Sequence, residues 1–228
     1  MNLSRLDNSN LLDKTYELMK DLIVRRVFKP NQKISIPELA SQLGVSRTPI
    51  RDALNRLEKD GLVKTVPKVG TFVNAIEVDD ILDIMDTRLM LELWVLEKLK
   101  ALSAEEFLLR VKDLENILGE ASALIEQSPL ETYLKSDYNL QFHLEFIKLG
   151  GNKRNVEIYS GLMNYHYLAV EHALITKEMV ISAISQHYSI VNTIKHRDFA
   201  NAETSIRLHL KDSIDRLMRQ LAASGGQI

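Results

Sequence analysis

Through the first third of the chain, apolar residues recur at helical spacing and then give way to alternation. Leu12, Tyr16, Met19, Leu22, Ile23 and Val27 predict a first helix over about 11 to 26. A short second helix over about 38 to 43 follows Ser35-Ile36-Pro37-Glu38, which reads as a capping box: the serine can accept from the Glu38 N–H, and the Glu38 side chain can reach back. Gly44 supplies the backbone freedom to end that helix abruptly. Ser46 is placed to cap a third helix from about Arg47, and Pro49 falls in its first turn, where a missing N–H breaks no helix bond. Ile50, Ala53, Leu54 and Leu57 give this helix a core-facing stripe at i, i+3, i+4 and i+7. The β-prone runs 62–66 and 71–73, separated by Pro67-Lys68-Val69-Gly70, predict a hairpin. Three helices and a hairpin make a winged helix-turn-helix over 1–76.

Beyond Ala75 the pattern is helical throughout. Capping boxes at Ser103-Ala104-Glu105-Glu106 and Ser128-Pro129-Leu130-Glu131, with breaks at Gly150-Gly151-Asn152, Thr176 and Asp198, divide it into six helices. Their expected spans are about 79–101, 104–126, 129–149, 153–174, 177–196 and 199–222. Long amphipathic helices joined by short loops predict an all-α antiparallel six-helix bundle over 77–228, hinged at Glu77-Val78-Asp79-Asp80. The fold class is therefore mainly α, in two domains.

Charge is divided along the same line. Residues 1–76 carry 13 Lys and Arg against 8 Asp and Glu, whereas the remainder carries 16 against 23. The overall net of −2 hides a basic N-terminal domain suited to a polyanion and an acidic remainder unsuited to one. The chain has no cysteine, which excludes disulfides, thiolate metal sites and cysteine nucleophiles. No apolar leader opens it and no run approaches the length of a membrane span, so the expected location is cytoplasmic, without a membrane partner.

The polar arc of the third helix carries Thr48, Arg51, Asn55 and Lys59, with Arg47 beside its start. It offers guanidinium forks for guanine edges, an amide suited to adenine and donors for phosphate, as expected of a groove-reading face on double-stranded DNA. In the bundle, His143 shares a face with Asn139 and Phe146, His187 sits among Ile184, Val191 and Ile194, and His209 lies with Ile206, Ser213 and Leu217. These are either ordinary core histidines or, with the Asn139 carbonyl, four ligands for one divalent ion. Arg88 falls in the apolar stripe Ile81, Ile84, Met85, Leu91 and Val95, and so requires an anion: a structural carboxylate or a bound effector. Tyr165, His166 and His172 either line a pocket or simply pack. His196 suits a helix C-terminus, and Trp94 suits the core.

The motifs Leu39-Ala40, Leu43-Gly44-Val45-Ser46-Arg47-Thr48-Pro49-Ile50-Arg51, Ala53-Leu54, Leu57 and Gly61-Leu62 resemble the N-terminal domain of the GntR superfamily of bacterial transcription regulators. Arg88 with Leu91-Glu92, Phe142-His143, Gly151-Asn152, His187 and His209 resemble the FCD ligand-binding domain of its FadR subgroup, and six helices match the shorter, VanR-like form. This resemblance implies operator contacts from Arg47, Thr48 and Arg51, and a wing tip, Lys68 to Gly70, entering the minor groove. It also implies a divalent metal (Zn, Ni, Mn or Fe) on Asn139, His143, His187 and His209. A small organic-acid effector would bind at or beside that metal and bias a homodimer's grip on DNA.

Three departures alter these expectations. Asn139 stands where many relatives have aspartate, which removes a negative charge from the site and leaves the ion more attractive to an anion. Asn31 replaces a usual glycine after Pro30, at a position where asparagine tolerates a left-handed conformation. Pro37 replaces a DNA-contacting arginine of some relatives. Two other functions fit parts of the chain: a metal-dependent hydrolase using the same four ligands, or a ligand-independent DNA-binding protein. The hydrolase has no H-E-x-x-H or other general-base motif and leaves the winged helix without a role.

Overall fold

The computed structural model describes residues 8–169 and 174–223. Two compact units emerge. One contains residues 8–78, the described part of 164–173 and the last described residues from Gln220; the other contains Asp79–Met163 and Leu174–Arg219.

In the first unit, α1 (Asn8–Val24) and α2 (Ile36–Leu43) both pack on α3 (Arg47–Lys59). Tyr16, Met19 and Ile23 of α1 are buried with the expected α3 stripe of Ile50, Ala53, Leu54 and Leu57. The turn between α2 and α3 forms as read: Gly44 is left-handed at φ +65, and its N–H bonds the Ala40 carbonyl. The two serine caps differ from expectation. Ser35 and Ser46 have the extended backbone of N-cap residues but make no side-chain cap bond. Proline bears on the second site. Pro49 is the third residue of α3 and removes one of the two N–H groups that a capping Ser46 uses, whereas Pro37, the second residue of α2, leaves the Glu38 N–H in place and does not account for the missing Ser35 bond. Asn31 takes the left-handed conformation, φ +60, that its place after Pro30 required.

Strands β2 (Val63–Val66) and β3 (Gly70–Val73) form the expected antiparallel hairpin, with Val63 opposite Val73 and Val66 opposite Gly70. Its loop is closed by Val69 N–H to Val66 O, with positive φ at Lys68 and Gly70. A two-residue strand β1 (Lys33–Ile34) adds to the other side of β3, giving the order β1-β3-β2. So short a strand leaves no alternation to read.

The second unit is all helical: α4 (Val78–Lys100), α5 (Ala104–Gln127), α6 (Leu130–Leu134), α7 (Tyr138–Lys148), α8 (Lys153–Ala169), α9 (Lys177–Lys195) and α10 (Phe199–Ala223). Helix α5 packs against both α7 and α9. Its Phe107, Val111, Leu114 and Leu118 are buried together with Phe142, Phe146, Ile190, Ile194 and Ile206 of the neighbouring helices. Ser103 and Glu106 form a full capping box on α5, and Thr176 caps α9 through the Met179 N–H. The third expected helix, 129–149, is interrupted between α6 and α7. The Ser136 hydroxyl bonds the Tyr133 carbonyl, competing with the backbone ladder, and Asp137 turns left-handed at φ +53. Among the described residues the bundle has six helices only if α6 and α7 are counted as one interrupted helix.

Candidate functional site

The polar arc of α3 is presented as the stripe predicts. Arg47, Thr48, Arg51, Asn55 and Lys59 are exposed on the side opposite the buried Ile50, Ala53, Leu54 and Leu57. Neither Arg47 nor Arg51 has an ion-pair partner among the described residues, so each guanidinium presents its full fork to solvent. Arg56 is used differently: it bonds Asp13 at 2.9 Å and covers the Tyr16 ring at 3.9 Å, tying α1 to α3. Lys68 is exposed at the hairpin tip, and Gly70, at φ +145, holds a conformation that excludes side-chain-bearing residues.

In the second unit the three histidines from α7, α9 and α10 converge. His143, His187 and His209 are each no more than 2 % exposed, and their candidate ligand nitrogens all lie within 4.8 Å of one another. The Nε2 of His209 is 3.3 Å from both the His143 and the His187 Nε2. An ion held at about 2.0–2.1 Å by imidazole nitrogens at octahedral to tetrahedral angles spaces those nitrogens about 2.8–3.4 Å apart. The observed spacing therefore suits one shared ion. Asn139 lies one turn before His143 on α7, half-buried.

The tautomers follow from neighbouring groups. Gln186 Nε2 donates to the Asp212 carboxylate, so its amide oxygen faces His209 Nδ1 at 2.8 Å and that nitrogen carries the proton. The His209 Nε2 lone pair is left for the cluster. Arg88 Nη2 lies 3.3 Å from His143 Nε2, and since a guanidinium only donates, that Nε2 is also an acceptor. His143 Nδ1 in turn faces Glu92 Oε1 at 3.5 Å. Burial, followed by the neighbouring histidines, pushes His187 and His209 well below the usual imidazole range. Both remain neutral and lone-pair-bearing at physiological pH. The Phe142 ring stacks on His187 at 4.1 Å between centroids and fixes its plane.

Arg88 meets the anion that its position demands. It is 1 % exposed and bonds Tyr159 OH at 3.0 Å and Glu92 Oε1 at 3.4 Å, while Tyr159 OH donates to the same carboxylate oxygen. Burial drives the Tyr159 phenol well above its ordinary range, against the pull of Arg88, so it stays protonated. Glu92 and Tyr159 were not identified as site residues from the sequence. The i, i+4 spacing of Arg88 and Glu92 was a usable signal; Tyr159, on another helix, gave none. Tyr165 belongs to the first unit, where its ring lies against Gly61. The side chain of His166 and all of His172 lie outside the described residues. His196 bonds the Asn192 carbonyl at the end of α9, as a terminal histidine should.

Comparison with known proteins agrees with both halves. Residues 11–73 match the bacterial regulatory proteins of the gntR family, and residues 83–212 match the FCD domain. A helix-turn-helix transcriptional regulator from an unstable DNA locus of Streptomyces ambofaciens is 27 % identical over 92 % of this chain and 86 % of its own length. The transcriptional repressor GlaR of Escherichia coli is 23 % identical over 92 % of this chain and 96 % of its own. Among solved structures, McbR/YncC of E. coli has a TM-score of 0.71 at 20 % identity, covering 92 % of this chain and 98 % of that one.

Proposed function

The chain belongs to the FCD-bearing, FadR-type branch of the gntR family of bacterial transcription regulators, and from that premise we propose that it is a metal-dependent, effector-responsive one. The observation that carries the metal is the convergence of three buried imidazoles, with the His209 Nε2 3.3 Å from both the His143 and the His187 Nε2 and the candidate ligand nitrogens all within 4.8 Å of one another. His143, His187 and His209 would hold a divalent ion, with the Asn139 carbonyl as a further oxygen; Zn, Ni, Mn and Fe all suit imidazole and amide donors. Bound there, such an ion supplies a fixed positive charge beside Arg88. The Arg88 charge is already balanced by Glu92, so a small organic acid is the effector that this electrostatic arrangement favours.

In the same reading, Arg47, Thr48, Arg51 and Asn55 contact base edges and phosphates of double-stranded operator DNA, with Lys68 and Gly70 at the wing tip. Two copies acting as a homodimer in the cytoplasm would place two recognition helices on a palindromic site. Effector binding would then bias their spacing through a coupling free energy of about 1–3 kcal/mol. No observation favours the hydrolase. The test is elemental analysis of protein purified without a histidine tag or chelator, beside a His187→Ala/His209→Ala variant. The expected result is one divalent ion per chain, lost in the variant; a folded wild type without metal would overturn the proposal.

A further inference from the structure

We propose that the outer face of the three-stranded sheet is a second, sequence-independent contact for the DNA backbone, made by Lys33 and Lys64. The inference rests on reading the first unit as the DNA-binding unit. Register places Lys33 of β1, Phe72 of β3 and Lys64 of β2 in one row across the sheet. Their strand neighbours Ile34, Thr71, Val73 and Val63 are buried on the opposite face, so this row points outward. Both lysines are exposed and Phe72 is half-buried between them. Three strands spaced about 4.8 Å apart set the two lysine backbones about 10 Å apart.

Lys33 does not simply extend into solvent. Its stem lies along the sheet against Gly70, where a Cβ would come within 2.6 Å of Lys33 Cε. The ammonium is thereby carried from β1 to the base of the wing loop that bears Lys68. Among the described residues, no carboxylate forms a salt bridge with Lys33, Lys64 or Lys68. The nearby acid Glu58 accepts from the Thr65 N–H at 2.7 Å. Three uncompensated cations around the hairpin complement a phosphate track, and this face is distinct from the base-reading arc of α3. Lysines on β1 and β2 also guard the sheet edges against pairing with another chain, and that role alone would leave DNA affinity untouched.

The experiment measures affinity for a mixed-sequence DNA duplex over a range of salt concentrations, for wild type, Lys33→Ala/Lys64→Ala and Lys33→Arg/Lys64→Arg. Each phosphate contact contributes about 0.9 to the slope of log affinity against log salt. The alanine pair should therefore lower that slope by about 1.8 and weaken binding several-fold, with the thermal midpoint kept; the arginine pair should restore both. A wild-type slope in the alanine pair would overturn the proposal. So would loss of binding to polyglutamate without loss of binding to DNA, which would assign the face to an acidic protein. A wild type that bound no duplex would instead overturn the reading of the first unit.

Discussion

Replacing Glu92 with Gln leaves the Arg88 guanidinium buried with no negative charge, although Tyr159 still accepts one of its bonds. Breaking a buried pair by neutralising one partner typically costs about 3–5 kcal/mol. The Glu92→Gln variant should accordingly unfold at distinctly lower denaturant concentration, and Arg88→Met/Glu92→Leu should recover part of the loss; an unchanged midpoint would show that the pair is not stabilising. At this scale the sequence was uneven in what it disclosed. His143, His187 and His209 were legible because each interrupts an apolar stripe, and a buried imidazole has few uses. Their convergence depends on how three helices pack, which no stripe encodes. Gln186 and Asp212 carried no periodic signal. Gln186 matters because its amide is oriented by a carboxylate on α10 and so fixes the proton on His209. Hydrogen bonds of that kind, which orient an imidazole from behind, belong to tertiary geometry alone.

Between elements, the turn from α2 to α3 concentrates its conformational demand in Gly44. A Cβ at Gly44 would meet nothing within 4 Å, so substitution there acts through the backbone alone. Gly44→Ala should cost about 1–2 kcal/mol of stability, the penalty for a left-handed L-residue. Equilibrium unfolding would read that loss, and a neutral effect would mean that the turn relaxes into another conformation. Helices α2 and α3, the hairpin and most of the long helices were legible from apolar spacing and punctuation. The cap chemistry was less so: Ser35 and Ser46 carry the sequence signal of N-caps yet make no side-chain cap bond, and only at Ser46 does the following proline remove the third-position N–H. The α6–α7 break was also hidden. Ser136 and Asp137 look like ordinary polar positions within a helix until a hydroxyl takes the Tyr133 carbonyl and the backbone turns left-handed.

For the whole molecule, the division into a basic and an acidic region follows the two-unit organisation closely, although parts of α8 and α10 group with the first unit. No local pattern announces that a helix will serve two units. Metal at a hundred times its dissociation constant should stabilise the folded protein by about 2.7 kcal/mol. Chelation should therefore lower the melting midpoint of wild type while leaving His187→Ala/His209→Ala unaffected, and equal shifts in both would point to adventitious ions. The chain's single tryptophan makes that experiment easier to interpret. Trp94 lies in the second unit, its indole seated on Gly150 where α7 ends, and the first unit has no indole. The protein thus carries its own optical label: red-edge excitation of fluorescence reads the histidine-bearing unit, while the DNA-binding unit stays dark.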